Sequence, residues 1–197
     1  MARKSGKELE EAFGSYMREH LGALTTEFRQ PQKGEIAVRP WDCDIHGIIV
    51  SRIAIALWVV AGAGYALALA AIVYPEDFDA VTSTGRAVEQ QLGPAFYGYG
   101  LFILAILASV VAHKAWKATK RNIWVECKDR KATIKRTDII KLADACADVR
   151  AFEKAKWKPD EMWFASTSQY DTDAINFART KGVRCFLKDP SGAFQEL

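Results

Sequence analysis

The chain has 197 residues, of which half are hydrophobic, and a formal net charge of +3 at pH 7. Its four cysteines and three histidines are scattered, with no C-x-x-C pair and no metal-ligand spacing. This pattern argues against a disulfide framework and a structural zinc site, and it fits reduced thiols in the cytoplasm. The length allows one globular domain, or one domain with a membrane element.

The first predicted elements are a helix and two short strands. Ser5-x-x-Glu8 is a capping-box pattern, and apolar residues then recur at helical spacing as far as about Leu21. Two strand-like runs follow, Ile36–Val38 and Cys43–Ile45, with Arg39-Pro40 between them. The N-terminal piece therefore has the order α-β-β.

Two long uncharged runs interrupt the chain after these strands. Each run has 21 residues, which is enough for a helix of about 30 Å, the thickness of the hydrocarbon core of a bilayer. We predict an inserted two-helix transmembrane hairpin. The hairpin covers residues 47–113. It consists of a first span at about 48–74, an extracytoplasmic loop at 75–91 and a second span at about 92–113.

The flanking charges predict the orientation of this hairpin. Basic residues precede the first span and follow the second, whereas the loop carries four acidic residues against Arg86 alone. The positive-inside rule then predicts a multi-pass protein of the cell membrane with both termini cytoplasmic. No charged residue lies at mid-depth, which favours an anchor over a transport path. Glycines such as Gly62 and Gly98 predict close helix packing, and assembly of several copies into a pore stays open.

The C-terminal piece begins with a strand at Asn122–Lys128. Its alternation sets Trp124, Glu126 and Lys128 on one face and Ile123, Val125 and Cys127 on the other.

Further elements are predicted from the capping, alternation and turn residues that follow. They are a short strand at Ala132–Lys135, a helix capped by Thr137, a strand at Glu161–Thr167, a helix capped within Ser168-x-x-Asp171 and ended by Gly182, a strand at Val183–Leu187, and a loose tail after Pro190. Residues 1–46 and 114–197 are expected to form one α/β domain that the hairpin interrupts, because consecutive antiparallel strands end close to each other.

Four stretches of the soluble part carry a family resemblance. They are GKELEEAF in the first helix, WDCDIHG, IWVECK, and MWFASTSQYDTDAINFARTKGVRCFL, with Ser166–Ser168 at a strand end. Together they resemble the PD-(D/E)xK nuclease superfamily, whose restriction-endonuclease-like fold occurs in Mrr-type enzymes and archaeal junction resolvases. The resemblance implies an α/β core of order αββ–βαβαβ. Asp44 and Glu126 are 82 positions apart, and the inserted hairpin accounts for most of that separation.

The resemblance also implies an active site. Asp44, or alternatively Asp42, is the strand-hairpin acid, Glu126 and Lys128 form the E-x-K element, and Glu10 is the supporting acid of the first helix. Mg²⁺ (or Mn²⁺) would be held by Asp44, Glu126 and the backbone carbonyl of Cys127, and Lys128 would orient water or stabilise charge on the phosphate.

Charge gives two alternatives for a partner. Residues 114–197 carry 18 Lys/Arg against 12 Asp/Glu, and Arg130, Lys131, Lys135 and Arg136 are the candidate nucleic-acid contacts. Cations beside a membrane exit are also expected from topology alone, where they bind anionic lipid.

The functions in contention differ in class. The first is a membrane-anchored, metal-dependent nuclease acting on DNA, with RNA possible, in prokaryotic defence. The second is a non-catalytic membrane effector that binds nucleic acid or lipid and whose hairpin oligomerises and disrupts the bilayer. The third is a passive scaffold that anchors another enzyme. The protein partners left open are further copies of the chain or a defence-system partner protein.

Overall fold

The structure is a computed structural model that describes residues 2–73 and 95–197. The chain divides into two compact units: unit 1 comprises residues 1–49 and 121–197, and unit 2 comprises residues 50–120. The boundaries between the units coincide with the ends of regular elements: the second strand ends at Ile49, and the second apolar helix ends at Thr119. The division therefore falls a few residues after the positions expected from the sequence.

Unit 1 is a mixed α/β unit built on one six-stranded sheet. Its elements in chain order are α1 Ala2–Glu19, β1 Ala23–Gln32, β2 Trp41–Ile49, β3 Arg121–Lys128, α4 Arg136–Ala151, β4 Glu161–Ser166, α5 Thr172–Lys181, β5 Val183–Lys188 and β6 Phe194–Glu196. The strand order equals the chain order. Strands β3, β4 and β5 are parallel and all other neighbours are antiparallel.

The sheet separates two hydrophobic cores. On one face α1 contributes Leu9, Phe13 and Met17 to a cluster with alternate residues of the strands. On the other face α4 and α5 cover a second cluster that includes Trp124 and Phe164. Because side chains alternate along a strand, the expected split of β3 is confirmed: Ile123 and Val125 face α1, and Trp124 faces α4.

Several predictions about local structure are wrong. Strand β1 was not anticipated, since its polar sequence and Pro31 suit only an edge strand. Residues Ile36–Val38 form a loop and no strand, because Asp148 binds the backbone N–H groups of Ile36 and Ala37. The tail after Pro190 is ordered as β6, which pairs with β5.

The starts of three helices, and the region where a strand was expected at Ala132–Lys135, also differ from the prediction. Ser5 lies inside α1, which begins at Ala2. Lys135 is the N-cap of α4 in place of Thr137, since Asp138 accepts the Lys135 N–H at 3.0 Å. The region 132–135 contributes only a single bridge, Ile134 to Tyr170. Asp171 rather than Ser168 caps α5, and Gly182 ends that helix with φ 68° as expected.

The described residues of unit 2 form two long apolar helices, α2 at Arg52–Val73 and α3 at Ala95–Thr119. Both are long and apolar enough to cross a membrane, over Arg52–Val73 and Tyr99–Thr119. Small residues line their contact, where Ala54, Ala61 and Ala68 recur every seven positions. A Cβ added at Gly64 would lie 3.3 Å from the Cβ of Ala105. The predicted loop at 75–91, with Arg86, lies outside the described residues.

Aromatic and polar side chains of unit 2 meet where α2 begins and α3 ends. Trp58, His113 and Trp116 line a crevice of about 360 Å³ there. Tryptophan at the end of an apolar helix is typical of a membrane interface.

Candidate active site

The candidate site is built where β2 and β3 diverge. Their pairing runs from Ile49–Arg121 to Ile45–Val125, and the next residues along the two strands are Asp44 and Glu126. Asp44 does not continue the ladder: its Oδ2 accepts the backbone N–H of Cys127 at 2.7 Å. The Asp44 carboxylate is thereby held against the residue that separates Glu126 from Lys128.

Side-chain alternation in β2 is interrupted at the same point. Cys43 packs in the α4 cluster and Ile45 in the α1 cluster, although residues two apart in a strand normally share a face. Arg29 of β1 lies opposite this point, between the Phe28–Ile45 and Gln30–Cys43 pairs, and its φ of 52° is in the left-handed region that few non-glycine residues adopt. The irregular backbone gives Asp44 its unusual placement.

The E-x-K residues form an ion pair, in which Lys128 Nζ contacts Glu126 Oε1. Burial opposes the charge on Lys128, but the carboxylates of Glu126 and Asp44 raise its pKa. Burial, together with the charge of Glu126, raises the pKa of Asp44 to about 7, while the Cys127 N–H and Lys128 act in the opposite direction. The site therefore contains two carboxylates and one ammonium in a partly enclosed setting.

Glu10 and Arg29 form a second ion pair next to this site. Both Glu10 carboxylate oxygens accept from the Arg29 guanidinium, each at 3.1 Å, and the Glu10 side chain is only 8% exposed. The Glu10 hydrogen bond raises the pKa of Arg29, and the charge of Asp44 acts in the same direction. Sequence reasoning missed Arg29, because β1 itself carried no strand signal and the side chain has no motif.

Asp42 does not belong to the same contact set. It is exposed at the start of β2, opposite Pro31 of the edge strand. Of the two acids left open by the sequence, Asp44 is therefore the one that contacts the E-x-K strand.

The carboxylates of the site are compatible with a hard divalent cation, although they are few. No group of three or more His, Cys, Asp or Glu side chains that fits a metal ion occurs among residues 2–73 and 95–197. Asp44 and Glu126 supply two carboxylates, the ligand type that Mg²⁺ prefers, and magnesium sites commonly use one or two carboxylates with water. Burial raises the pKa of the Cys127 thiol well above its usual value, so the thiol is neutral and a poor ligand.

The four candidate nucleic-acid contacts fall into two pairs. Arg130 is ion-paired with Asp138, and Arg136 lies 4.7 Å from the Phe177 ring and 3.8 Å from Asp173, so both are engaged within unit 1. Lys131 and Lys135 are exposed.

A groove of about 790 Å³ adjoins the E-x-K strand at the carboxyl ends of β3 and β4. Its lining includes Asp129, Lys131 and Gln169. Hydrogen bonds join its two walls: Thr167 N–H donates to the Lys128 carbonyl at 3.4 Å, and Thr167 Oγ1 donates to Asp129 at 2.9 Å. In open sheets containing parallel strands, this edge is where ligands usually bind.

No protein-family model, no curated protein and no solved structure matches the chain. A function for the chain therefore has to be inferred from the site and the apolar helices.

Proposed function

We propose that the chain is a membrane-anchored nuclease that hydrolyses phosphodiester bonds of DNA with the help of Mg²⁺ or Mn²⁺. The single observation that carries the proposal is the contact of Asp44 with the backbone of Cys127, between Glu126 and Lys128. Two acids and a lysine from adjacent strands are the residue types that metal-assisted phosphate hydrolysis needs.

Each residue has a distinct proposed task. Asp44 and Glu126 hold the divalent cation, with the Cys127 carbonyl as a further oxygen. When bound, the cation supplies a Lewis acid for the phosphate and an acidified water. Lys128, paired with Glu126, orients the water and offsets the charge that develops on the phosphate. Glu10 and Arg29 fix the irregular backbone opposite Asp44 and hold charge near the site.

The hairpin gives this proposal its location. The two apolar helices anchor the protein as a multi-pass chain of the cell membrane, with both termini on the cytoplasmic side, where the positive-inside rule places the basic flanks. A nuclease held there meets DNA as it enters the cell, which favours a role in prokaryotic defence against foreign DNA. That role rests on location and on the resemblance alone.

The test is divalent-dependent cleavage of plasmid DNA and single-stranded RNA by the full chain in detergent or nanodiscs. Glu126→Ala and Lys128→Ala are expected to lower the rate at least about 100-fold, in line with the loss of one charge-stabilising group from an active site. Asp44→Asn is expected to lower the cleavage rate to a similar extent.

Asp42→Asn is the matched control, because it removes the same group two residues earlier on the same strand without touching the E-x-K element. Equal cleavage by the wild type and Glu126→Ala, or equal losses in Asp42→Asn and Asp44→Asn, would contradict the proposed site. Cleavage of RNA alone would keep the chemistry and change the substrate.

A second candidate function is that of a membrane effector without catalysis, whose hairpin assembles and disrupts the bilayer. It is favoured by the open outer face of α2, where a Cβ added at Gly62 would meet nothing within 4 Å. It predicts that toxicity on expression survives Glu126→Ala and is lost in Gly62→Asp or Gly98→Asp, whereas the nuclease proposal predicts that Glu126→Ala abolishes toxicity.

A further inference from the structure

A surface of unit 1 at the C-terminal end of α4, the opposite end of that helix from the groove, combines exposed aliphatic and basic side chains. Two loops build it: residues 33–40, between β1 and β2, and residues 152–160, between α4 and β4. Ile36 is 85% exposed and Val38 is 100% exposed. Exposed apolar groups that are rimmed by polar residues are typical of surfaces that bind a protein or a membrane.

The 33–40 loop is held firmly by Asp148 near the end of α4. The Asp148 carboxylate accepts the N–H of Ile36 at 2.6 Å, that of Ala37 at 3.1 Å and Trp41 Nε1 at 2.7 Å. Gly34 packs so closely that an added Cβ would lie 1.9 Å from Asp148 Oδ2. Ile36 and Val38 are therefore exposed on a loop whose backbone is fixed by hydrogen bonds.

The 152–160 loop presents lysines in the same way. Ala155 and Trp157 pack against the α4 core cluster, and Trp157 stacks on His46 with ring centroids 3.9 Å apart. Arg150 Nε donates to the Pro159 carbonyl at 2.6 Å and holds the other end of the loop. Because the inward residues alternate with lysines, the exposed Lys154, Lys156 and Lys158 project outward.

The two loops lie side by side. The Asp148 carbonyl accepts both the Glu35 N–H at 3.3 Å and the Phe152 N–H at 3.2 Å. Lys33 Nζ is 5.5 Å from the centroid of the Phe152 ring. Across residues 33–40 and 152–160 there are five basic residues against three acidic ones.

The second loop also ends beside the start of β3. The N–H of Asp160 donates to the Asn122 carbonyl, and the N–H of Asn122 donates to Asp160 Oδ2, both at 2.7 Å. Strand β3 starts at Arg121, directly after the apolar helix α3 in the chain. The lysine-bearing loop therefore lies at the edge of the sheet that is joined covalently to a helix able to cross a membrane.

We propose that this surface docks unit 1 onto a bilayer containing anionic phospholipid. Ile36 and Val38 enter the headgroup region, and Arg39, Lys154, Lys156 and Lys158 bind the lipid phosphates. Aliphatic tips ringed by cations suit such a surface, since the apolar groups gain burial and the cations keep to the headgroups. Each lysine near an anionic leaflet changes the docked-to-undocked ratio about fivefold, so three lysines change it about 100-fold. The inference does not depend on nuclease activity.

The test places the environment-sensitive fluorophore NBD at Val38→Cys in the full chain, reconstituted with vesicles of phosphatidylcholine alone or with 30% phosphatidylglycerol. We expect a blue-shifted, brighter emission with the anionic vesicles only, which disappears in Lys154→Gln/Lys156→Gln/Lys158→Gln. A label at Glu8→Cys, on the exposed side of α1, is the matched control for position. Lys131→Gln/Lys135→Gln/Lys141→Gln is the control for charge and should keep the blue shift.

Three outcomes would overturn the inference. The first is the same Val38→Cys emission in neutral and anionic vesicles. The second is an equal effect of the two lysine triplets. The third is a blue shift that appears only after duplex DNA is added, which would assign the surface to nucleic acid. Cleavage by the same samples is read separately, so nuclease activity and docking succeed or fail independently.

Discussion

Tyr170 offers a sharp test of how the sheet edge beside the groove is held together. Its hydroxyl lies 3.0 Å from the carbonyl oxygen of Phe164 on β4 and 2.9 Å from that of Phe186 on β5. Its backbone forms the bridge to Ile134, which ties the loop after β3 to the loop after β4. The side chain is 8% exposed, so water cannot replace the hydroxyl readily.

Tyr170→Phe removes one hydrogen-bond donor and leaves two enclosed carbonyl groups with one partner fewer. A hydrogen bond of this kind contributes about 1 kcal/mol net, and a carbonyl left short of a donor adds to the cost, so we expect the free energy of unfolding to fall by about 1–2 kcal/mol. For a domain of this size the melting temperature should fall by about 3–6 °C.

The assay is urea or thermal unfolding of the full chain, followed by tryptophan fluorescence. Tyr16→Phe is the matched control, since no hydrogen bond joins the Tyr16 hydroxyl to another group within the described part of the chain; it is expected to change stability by less than about 0.5 kcal/mol. Burial raises the pKa of Tyr170 far above neutrality, so the difference from the wild type should stay constant between pH 6 and pH 9. Equal stability of Tyr170→Phe and Tyr16→Phe would refute the assigned brace.

Three further predictions concern other parts of the molecule. Arg29→Ala leaves the buried Glu10 carboxylate without its guanidinium, so we expect lower stability and slower cleavage with an unchanged oligomeric state; cleavage at the wild-type rate would show that the pair is not needed at the site. The hydrogen bond from Trp41, followed by those of the loop N–H groups, lowers the pKa of Asp148. The stability that the Asp148 carboxylate contributes is therefore complete above its unfolded pKa and is lost as pH falls through its folded pKa. Acid unfolding of Asp148→Asn should lack this loss, and identical acid-unfolding curves for the variant and the wild type would contradict the assigned role of Asp148. Gly64→Leu should separate α2 from α3 in disulfide or energy-transfer measurements while Gly62→Leu should not, because only Gly64 faces a neighbour, Ala105.

The strong local patterns determined most of the secondary structure. The apolar runs of α2 and α3, the alternation of β3 and the left-handed Gly182 after α5 are short-range signals, and each element formed as expected. The acid and the E-x-K residues were singled out in the sequence through the resemblance that they carry, and the structure brings Asp44 into contact with the E-x-K strand. Edge strand β1 was not visible, because an edge strand with solvent on its open side needs no apolar alternation.

The tertiary structure decided two features that depend on contacts between residues far apart in the chain. Asp148 is more than 100 positions from the 33–40 loop, yet its carboxylate accepts the N–H groups of Ile36 and Ala37 in the segment that was predicted to be a strand. Likewise, the choice of Asp44 over Asp42 depends on a hydrogen bond to Cys127, 83 positions away. Both residues are aspartates on one strand, and the divergence of β2 from β3 distinguishes them. The backbone irregularity at Arg29, opposite Asp44, has no counterpart in the local sequence, so the sequence left both acids open.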